Sequence, residues 1–193
     1  HMASPQELQK QAQLAKDYGA TGVFLMDSAG ALIPTEVYER ITSLVWNVDL
    51  PIGFHPHNNL GLAVANALAA VEAGADMIDG TAKGFGAGSG NVPLEVLVGL
   101  LRKREYVKNN KVGVDFYKMM DAAEVVAGFS QPVQITSESI ISGLSGVFSG
   151  FAPLVKRAAK KYKVDARDIF VALGERKVVA GQEDLIIEVA QSL

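Results

Sequence analysis

Gly53-Phe54-His55-Pro56-His57-Asn58-Asn59 is the stretch on which the reading of this chain turns. A short apolar run, Leu50-Pro51-Ile52, precedes it, and an Ala-rich pattern of helical period follows it. The two histidines therefore stand where a strand ends and a helix begins. Side chains at i and i+2 of a strand point to the same face, so His55 and His57 can aim both imidazoles at one point. Apart from His1 they are the only histidines in the chain. Imidazole is the commonest side-chain ligand for divalent transition metals, which makes the pair a candidate metal site. The plainer reading, two polar loop residues beside a helix cap, fits these seven residues equally well, because short motifs recur by chance.

The flanking sequence supplies context. Ser4, Pro5 and Glu7 spell a helix start, with Ser4 as cap and Gly19 as stop. Thr21 to Asp27 is a continuous apolar run of the kind found in strands buried on both faces, with Asp27-Ser28-Ala29-Gly30 as its polar exit. Pro34 opens a second helix carrying Val37, Ile41, Leu44 and Val45 at helical spacing. After the histidines, residues 60–73 predict a largely buried helix with hardly a charge, stopped by Gly74. Residues 75–81 predict a third strand, which runs out into Lys83-Gly84-Phe85-Gly86-Ala87-Gly88-Ser89-Gly90-Asn91 and then a helix over 93–104. The pattern α-βα-βα-βα demands crossover connections and hence parallel strands. Polar groups fall at the strand exits, where a (β/α) barrel carries its active site. The glycine loop does not match GxxxxGK[ST]; we read its glycines as letting backbone pass close under the strand ends rather than as a phosphate cradle.

Composition narrows the classes. The 193 residues are 49% apolar, enough for a real core, and the net charge of −3 argues against a nucleic-acid or anionic-membrane partner. The absence of cysteine excludes a disulfide framework and thiolate chemistry. No long uninterrupted apolar run occurs, so the chain reads as cytoplasmic, and His1-Met2 reads as the remnant of a cleaved tag.

Beyond about Tyr106 the style changes. Lys108-Asn109-Asn110-Lys111 reads as a polar linker, and residues 115–127 as a helix with Phe116, Met119, Met120, Ala123 and Val126 on one side. Residues 131–141 hold strand-like and turn-like pieces. Phe151, Leu154, Val155, Ala158, Ala159 and Tyr162 mark an amphipathic helix whose outer lysines and arginine read as a solvated face. Asp165 caps a short helix ending near Gly174, and Gln182-Glu183-Asp184 opens a last one. This tail is expected to be too thin to stand alone, and so to pack on something.

Four ordered stretches carry a family likeness: Met26-Asp27-Ser28-Ala29-Gly30, Gly53 to Leu60, Gly84 to Glu95, and Gly181-Gln182-Glu183-Asp184. With them the chain resembles the 4-hydroxy-2-oxovalerate (4-hydroxy-2-oxoacid) aldolases, TIM-barrel metal lyases related to hydroxymethylglutaryl-CoA lyase. The resemblance implies an α/β fold: the C-terminal three βα units of a TIM (β/α)8 barrel over residues 3–106, then a helical communication domain over 107–193. It implies a divalent metal, usually Mn2+, with His55 and His57 among its ligands, and a Lewis-acid role toward the enolate formed as the C–C bond breaks. It places Ser28, His55 and Phe148 against the substrate, a 4-hydroxy-2-oxopentanoate or -hexanoate. It gives the tail an acylating acetaldehyde or propionaldehyde dehydrogenase as partner, to which the aldehyde passes directly.

The chain departs from that family in two ways. The barrel's first strand, with its arginine, aspartate ligand and base histidine, has no match here, so none of the catalytic groups is expected within this chain and metal binding is expected to be weak or absent. Phe148 stands where the family usually has tyrosine. As it stands the chain is then expected to be inactive. The alternative reading is a catalytically inert binding or assembly module. Strand edges left open by the missing units predict a homo-oligomer. Their barrel-facing side chains are expected to be Val23, Leu25, Ile52, Phe54, Met77 and Ile78, and the tail helices are expected to lack an internal partner.

Overall fold

A computed structural model describes residues 2–103, 113–129 and 133–193. The 108–111 linker and the 106/107 boundary lie outside the described residues. Helix α1 (Pro5–Asp17) begins where Ser4 accepts the Glu7 N–H through its side chain, with Pro5 in the first turn. Strand β1 (Val23–Asp27), helix α2 (Pro34–Asn47), strand β2 (Ile52–Pro56), helix α3 (Ala63–Glu72) and the two-residue strand β3 (Met77–Ile78) follow. Helix α4 (Leu94–Lys103) closes this half. The sheet is parallel in the order β1-β2-β3, with Val23 opposite Ile52 and Gly53 opposite Met77.

Val23, Leu25, Ile52, Phe54 and Ile78 alternate in the opposite sense to the one expected, while Met77, in register with Gly53 and Phe24, lies on the expected face. Leu25, Ile52 and Phe54 are buried against Val37, Ile41 and Leu44 of α2, Ala69 and Ala70 of α3, and Ala12 of α1. They face the helices, not a barrel interior. The helical layer supplies the large complementary apolar surface, and burying a side chain such as Phe54 there contributes about 1.5–3 kcal/mol. The other sheet face carries Phe24 and Met26, 43% and 48% exposed. Gly53 belongs under the Phe24 ring: a Cβ there would lie 2.5 Å from it. The Ala-rich α3 suits its place between α2 and α4. Its Ala63 and Ala67 are fully buried with Val92, Leu97 and Leu101 in a second apolar cluster.

Helix α5 (Phe116–Ala127) is capped by Asp115, lies against α4, and sets Phe116 beneath the Arg102 guanidinium, 4.9 Å away. Residues expected as strand and turn pieces instead enter α6 (Ser137–Leu144). Thr136 caps it, exchanging hydrogen bonds with Ser139, and this local pairing outweighs the β-propensity of the isoleucines nearby. A short 3-10 turn (Ser149–Phe151) leads into α7 (Ala152–Tyr162), α8 (Ala166–Glu175) and α9 (Asp184–Ser192).

The tail helices do have an internal partner, namely one another. Val147, Phe151, Val155, Ile169, Phe170, Leu173, Ile186 and Val189 form their own buried cluster. Gly174 lets α8 close on the end of α6, since a Cβ there would sit 2.4 Å from the Ser145 carbonyl oxygen. No described helix is long and apolar enough to cross a membrane.

Asp165 caps α8 by accepting the Arg167 N–H, while the Arg167 guanidinium grips the same carboxylate. That guanidinium, then the backbone N–H, holds the carboxyl down from the ordinary 3.8 to about 2. Because the folded value is depressed, the stabilisation is complete above 3.8 and is lost as pH falls towards about 2. Asp165→Asn is expected to lower the thermal midpoint at pH 7, and the difference from wild type to vanish near pH 2, as read by circular dichroism melts.

Candidate functional site

The end of β2 delivers the two imidazoles together. Their ring centroids are 5.1 Å apart and the planes meet edge to face at 66°. His57 is 8% exposed, and its Nδ1 is buried without a hydrogen-bond partner. Burial, then the neighbouring His55, pushes the His57 pKa below the usual imidazole value; the Ala87 backbone and Asp27 act the other way. His55 Nδ1 lies 2.8 Å from Asp79 Oδ2. At the end of β1, Asp27 is fully buried and accepts the Ala31 and Leu32 N–H groups at 3.0 and 3.1 Å. Burial raises its pKa against those two hydrogen bonds. Asp27 therefore ties down the β1–α2 loop.

The glycine loop is laced onto the histidine loop. The Asn58 N–H donates to the Gly90 carbonyl (2.8 Å), and His57 bridges Asn91 in antiparallel fashion. Lys83 holds a left-handed conformation (φ 55°), its N–H taken by the Glu95 carboxylate. A Cβ on Gly90 would fall 1.9 Å from the Gly84 oxygen, so the loop's glycines serve close approach of backbone to backbone.

Asn59 then joins three segments. It is 1% exposed, and its Oδ1 accepts from the Ser149 hydroxyl at 3.1 Å and from the Ser89 N–H at 3.4 Å. Gly30, Gly88 and Gly143 crowd around it: a Cβ on each would come within 2.7, 2.8 and 3.2 Å of an Asn59 atom. The Ser149 N–H reaches the Ser28 carbonyl at 2.9 Å. This places Ser28 beside the residue that follows Phe148. Phe148 itself is half-buried and stacks edge to face on Phe151, centroids 5.5 Å apart.

The structure brings the residues predicted for the site together as two pairs. His55 and His57 meet directly, and Ser28 and Phe148 approach through Ser149. Two participants escaped the sequence reading. Asp79 falls inside the strand expected over 75–81, where nothing in the sequence marks it as the neighbour of His55. Asn59 lies within the histidine motif, but nothing in the sequence signals its partners 30 and 90 residues away.

Against known families, residues 1–126 match the HMGL-like model and residues 133–193 the DmpG-like communication domain. The chain belongs to the HMGL-like family. Along its whole length it is 53% identical to a 4-hydroxy-2-oxovalerate aldolase of Pectobacterium atrosepticum and 52% identical to one of Geobacillus thermodenitrificans, covering 56% of each. It therefore spans just over half the length of the curated relatives it matches. Its fold resembles the carboxyl transferase domain of Rhizobium etli pyruvate carboxylase (TM-score 0.79, 21% identity, 99% of this chain and 34% of that one). The likeness supports an α/β fold of the TIM-barrel type.

The donor set of this HMGL-like chain fits a divalent metal in part. Two imidazoles lie side by side, one with a carboxylate at its Nδ1 and one with a buried, unpartnered Nδ1. Among the described residues no three His, Cys, Asp or Glu side chains group as a metal site.

Asn59→Ala is expected to destabilise the chain by about 1–3 kcal/mol in urea unfolding, since the Ser149 hydroxyl and Ser89 N–H lose a buried acceptor. The exposed Asn47→Ala should stay within about 0.5 kcal/mol of wild type. Equal effects from the two would contradict the role given to Asn59.

Proposed function

We propose that the chain is the C-terminal portion of a cytoplasmic, metal-dependent 4-hydroxy-2-oxovalerate aldolase. In this reading residues 3–106 are the last three βα units of the barrel, residues 107–193 are the domain that docks an acylating acetaldehyde or propionaldehyde dehydrogenase, and residues 1–2 are a tag remnant. The observation that carries the reading is the placement of His55 and His57, 5.1 Å apart, at the C-terminal end of a parallel strand. The names of relatives about half identical to the chain point the same way.

His55 and His57 would hold the metal, Mn2+ or another divalent ion. When bound, it supplies Lewis-acid stabilisation of negative charge at the oxygens of the substrate's keto end. Ser28, on a loop held by Asp27 and by Ser149, would fix the substrate. Phe148, stacked on Phe151, would form an apolar wall beside it. The reaction breaks the C3–C4 bond of a 4-hydroxy-2-oxoacid: the C4 hydroxyl proton leaves to a base outside this chain, C4 departs as the aldehyde, and the C3–C4 electron pair passes to the enolate of pyruvate, which takes a proton at C3 to give pyruvate. A site that hydrogen-bonds a substrate hydroxyl discriminates more strongly than an apolar wall. Phe148 therefore sets a weak preference between C4 enantiomers.

A second reading, a module for assembly, is favoured by the open sheet face. Phe24 and Met26 are about half exposed, and an apolar groove lined by Val71, Ile78, Leu97 and Met119 flanks β3. Parallel strands with open edges and an apolar face tend to pair with another surface. The two readings agree if the chain is one part of a larger active assembly.

Two imidazoles fall short of the three protein ligands usual in a catalytic site, so Mn2+ is expected to be lost on dialysis at neutral pH. Pyruvate release from 4-hydroxy-2-oxopentanoate is expected at background. Mn2+ retained at one per chain, or pyruvate formation abolished by His55→Ala, would contradict this. Sedimentation is expected to show at least a dimer at micromolar concentration, and a 20.5 kDa monomer throughout would reject self-association.

A further inference from the structure

We infer that Asp79 is a positioning residue for His55: the geometry assigns its carboxylate to the His55 Nδ1 proton, which leaves Nε2 unprotonated with its lone pair free. The inference rests on the metal-site reading of the two histidines and adds a residue to it.

The sheet register brings the two side chains together. In the parallel pairing of β2 with β3, Gly53 stands opposite Met77 and Phe54 opposite Ile78. The next step pairs His55 with Asp79, and the Asp79 N–H donates to the Phe54 carbonyl at 3.0 Å to hold that step. Side chains one strand apart in register share a face, so the carboxylate comes alongside the ring, Oδ2 at 2.8 Å from Nδ1.

An ionised carboxylate can only accept, so the proton at that contact belongs to the ring and the neutral imidazole takes the Nδ1–H form. Without such a partner a neutral imidazole divides between its two tautomers, and a fraction presents a protonated Nε2 that cannot ligate. The other carboxylate at a strand exit does not compete for this task. Asp27 is committed to the Ala31 and Leu32 N–H groups and fully buried. The Asp79 side chain is 56% exposed, against 13% for His55, so it can be removed without opening the core. Groups that orient a ligating histidine in this way typically change metal affinity about 10–100-fold.

Long-range 1H–15N correlation of the histidine side chains in the 193-residue chain at pH 8 reads the tautomer directly. The expected result is Nδ1–H for His55 in the wild type, with a shift towards the Nε2–H form in Asp79→Ala while the His57 signals hold. Titration with Co2+ should show affinity falling about 10–100-fold in the variant. An Nε2–H wild-type His55 would overturn the assignment without any variant. So would a tautomer indifferent to Asp79→Ala, or an equal change at His57, which would mark a general disturbance of the loop. A tautomer that depends on Asp79 in a chain that takes up no Co2+ supports the positioning role and sinks the metal reading. Equal Co2+ affinity in both chains overturns the role and leaves the metal reading standing.

Discussion

The closely packed junction at Asn59 is the constraint on which the arrangement depends. One buried amide oxygen takes hydrogen bonds from the glycine loop and from the turn before α7. Three glycines around it leave no room for a side chain. The junction sits two residues beyond His57, so the loop carrying the imidazoles cannot move far without breaking contacts to both other segments. A buried hydrogen bond contributes only about 1 kcal/mol net, but leaving a buried partner unpaired costs about 1–3 kcal/mol. The asymmetry makes the junction close as a unit.

The sheet explains what the junction is for. Three parallel strands end on one side, and the exits put a carboxylate to two uses. Asp27 is buried to hold a loop, whereas Asp79 stays near solvent beside an imidazole. The opposite alternation, Leu25, Ile52 and Phe54 into the helices, leaves Phe24, Met26 and His55 on the remaining face. His55 and exposed apolar surface therefore lie together on the side that the helices do not cover.

Much of this was legible in the sequence. Ser4, Pro34, Gly74 and Asp165 mark element ends because caps and stops are local physics. The two histidines were paired by strand period alone. The sheet's alternation was misjudged because the run from Val23 to Met26 is apolar at every position, so period 2 carries no signal. The third strand shrank to Met77 and Ile78, since the polar exit begins at Asp79. Helix α6 was missed because its Thr136–Ser139 capping pair sits in a stretch rich in β-branched residues. The tail's self-contained core was missed because α7, α8 and α9 each show one apolar side, and nothing local says that those sides meet.

Native-state amide hydrogen exchange tests the junction most directly. The Asn58, Asn91 and Ser149 amides donate respectively to Gly90, Gly84 and Ser28. If the junction closes as a unit, the three open with one common free energy and respond alike to low urea. Ser149 exchanging through its own, cheaper opening while Asn58 and Asn91 stay protected would show the tail to be docked independently of the histidine loop, and would contradict the account.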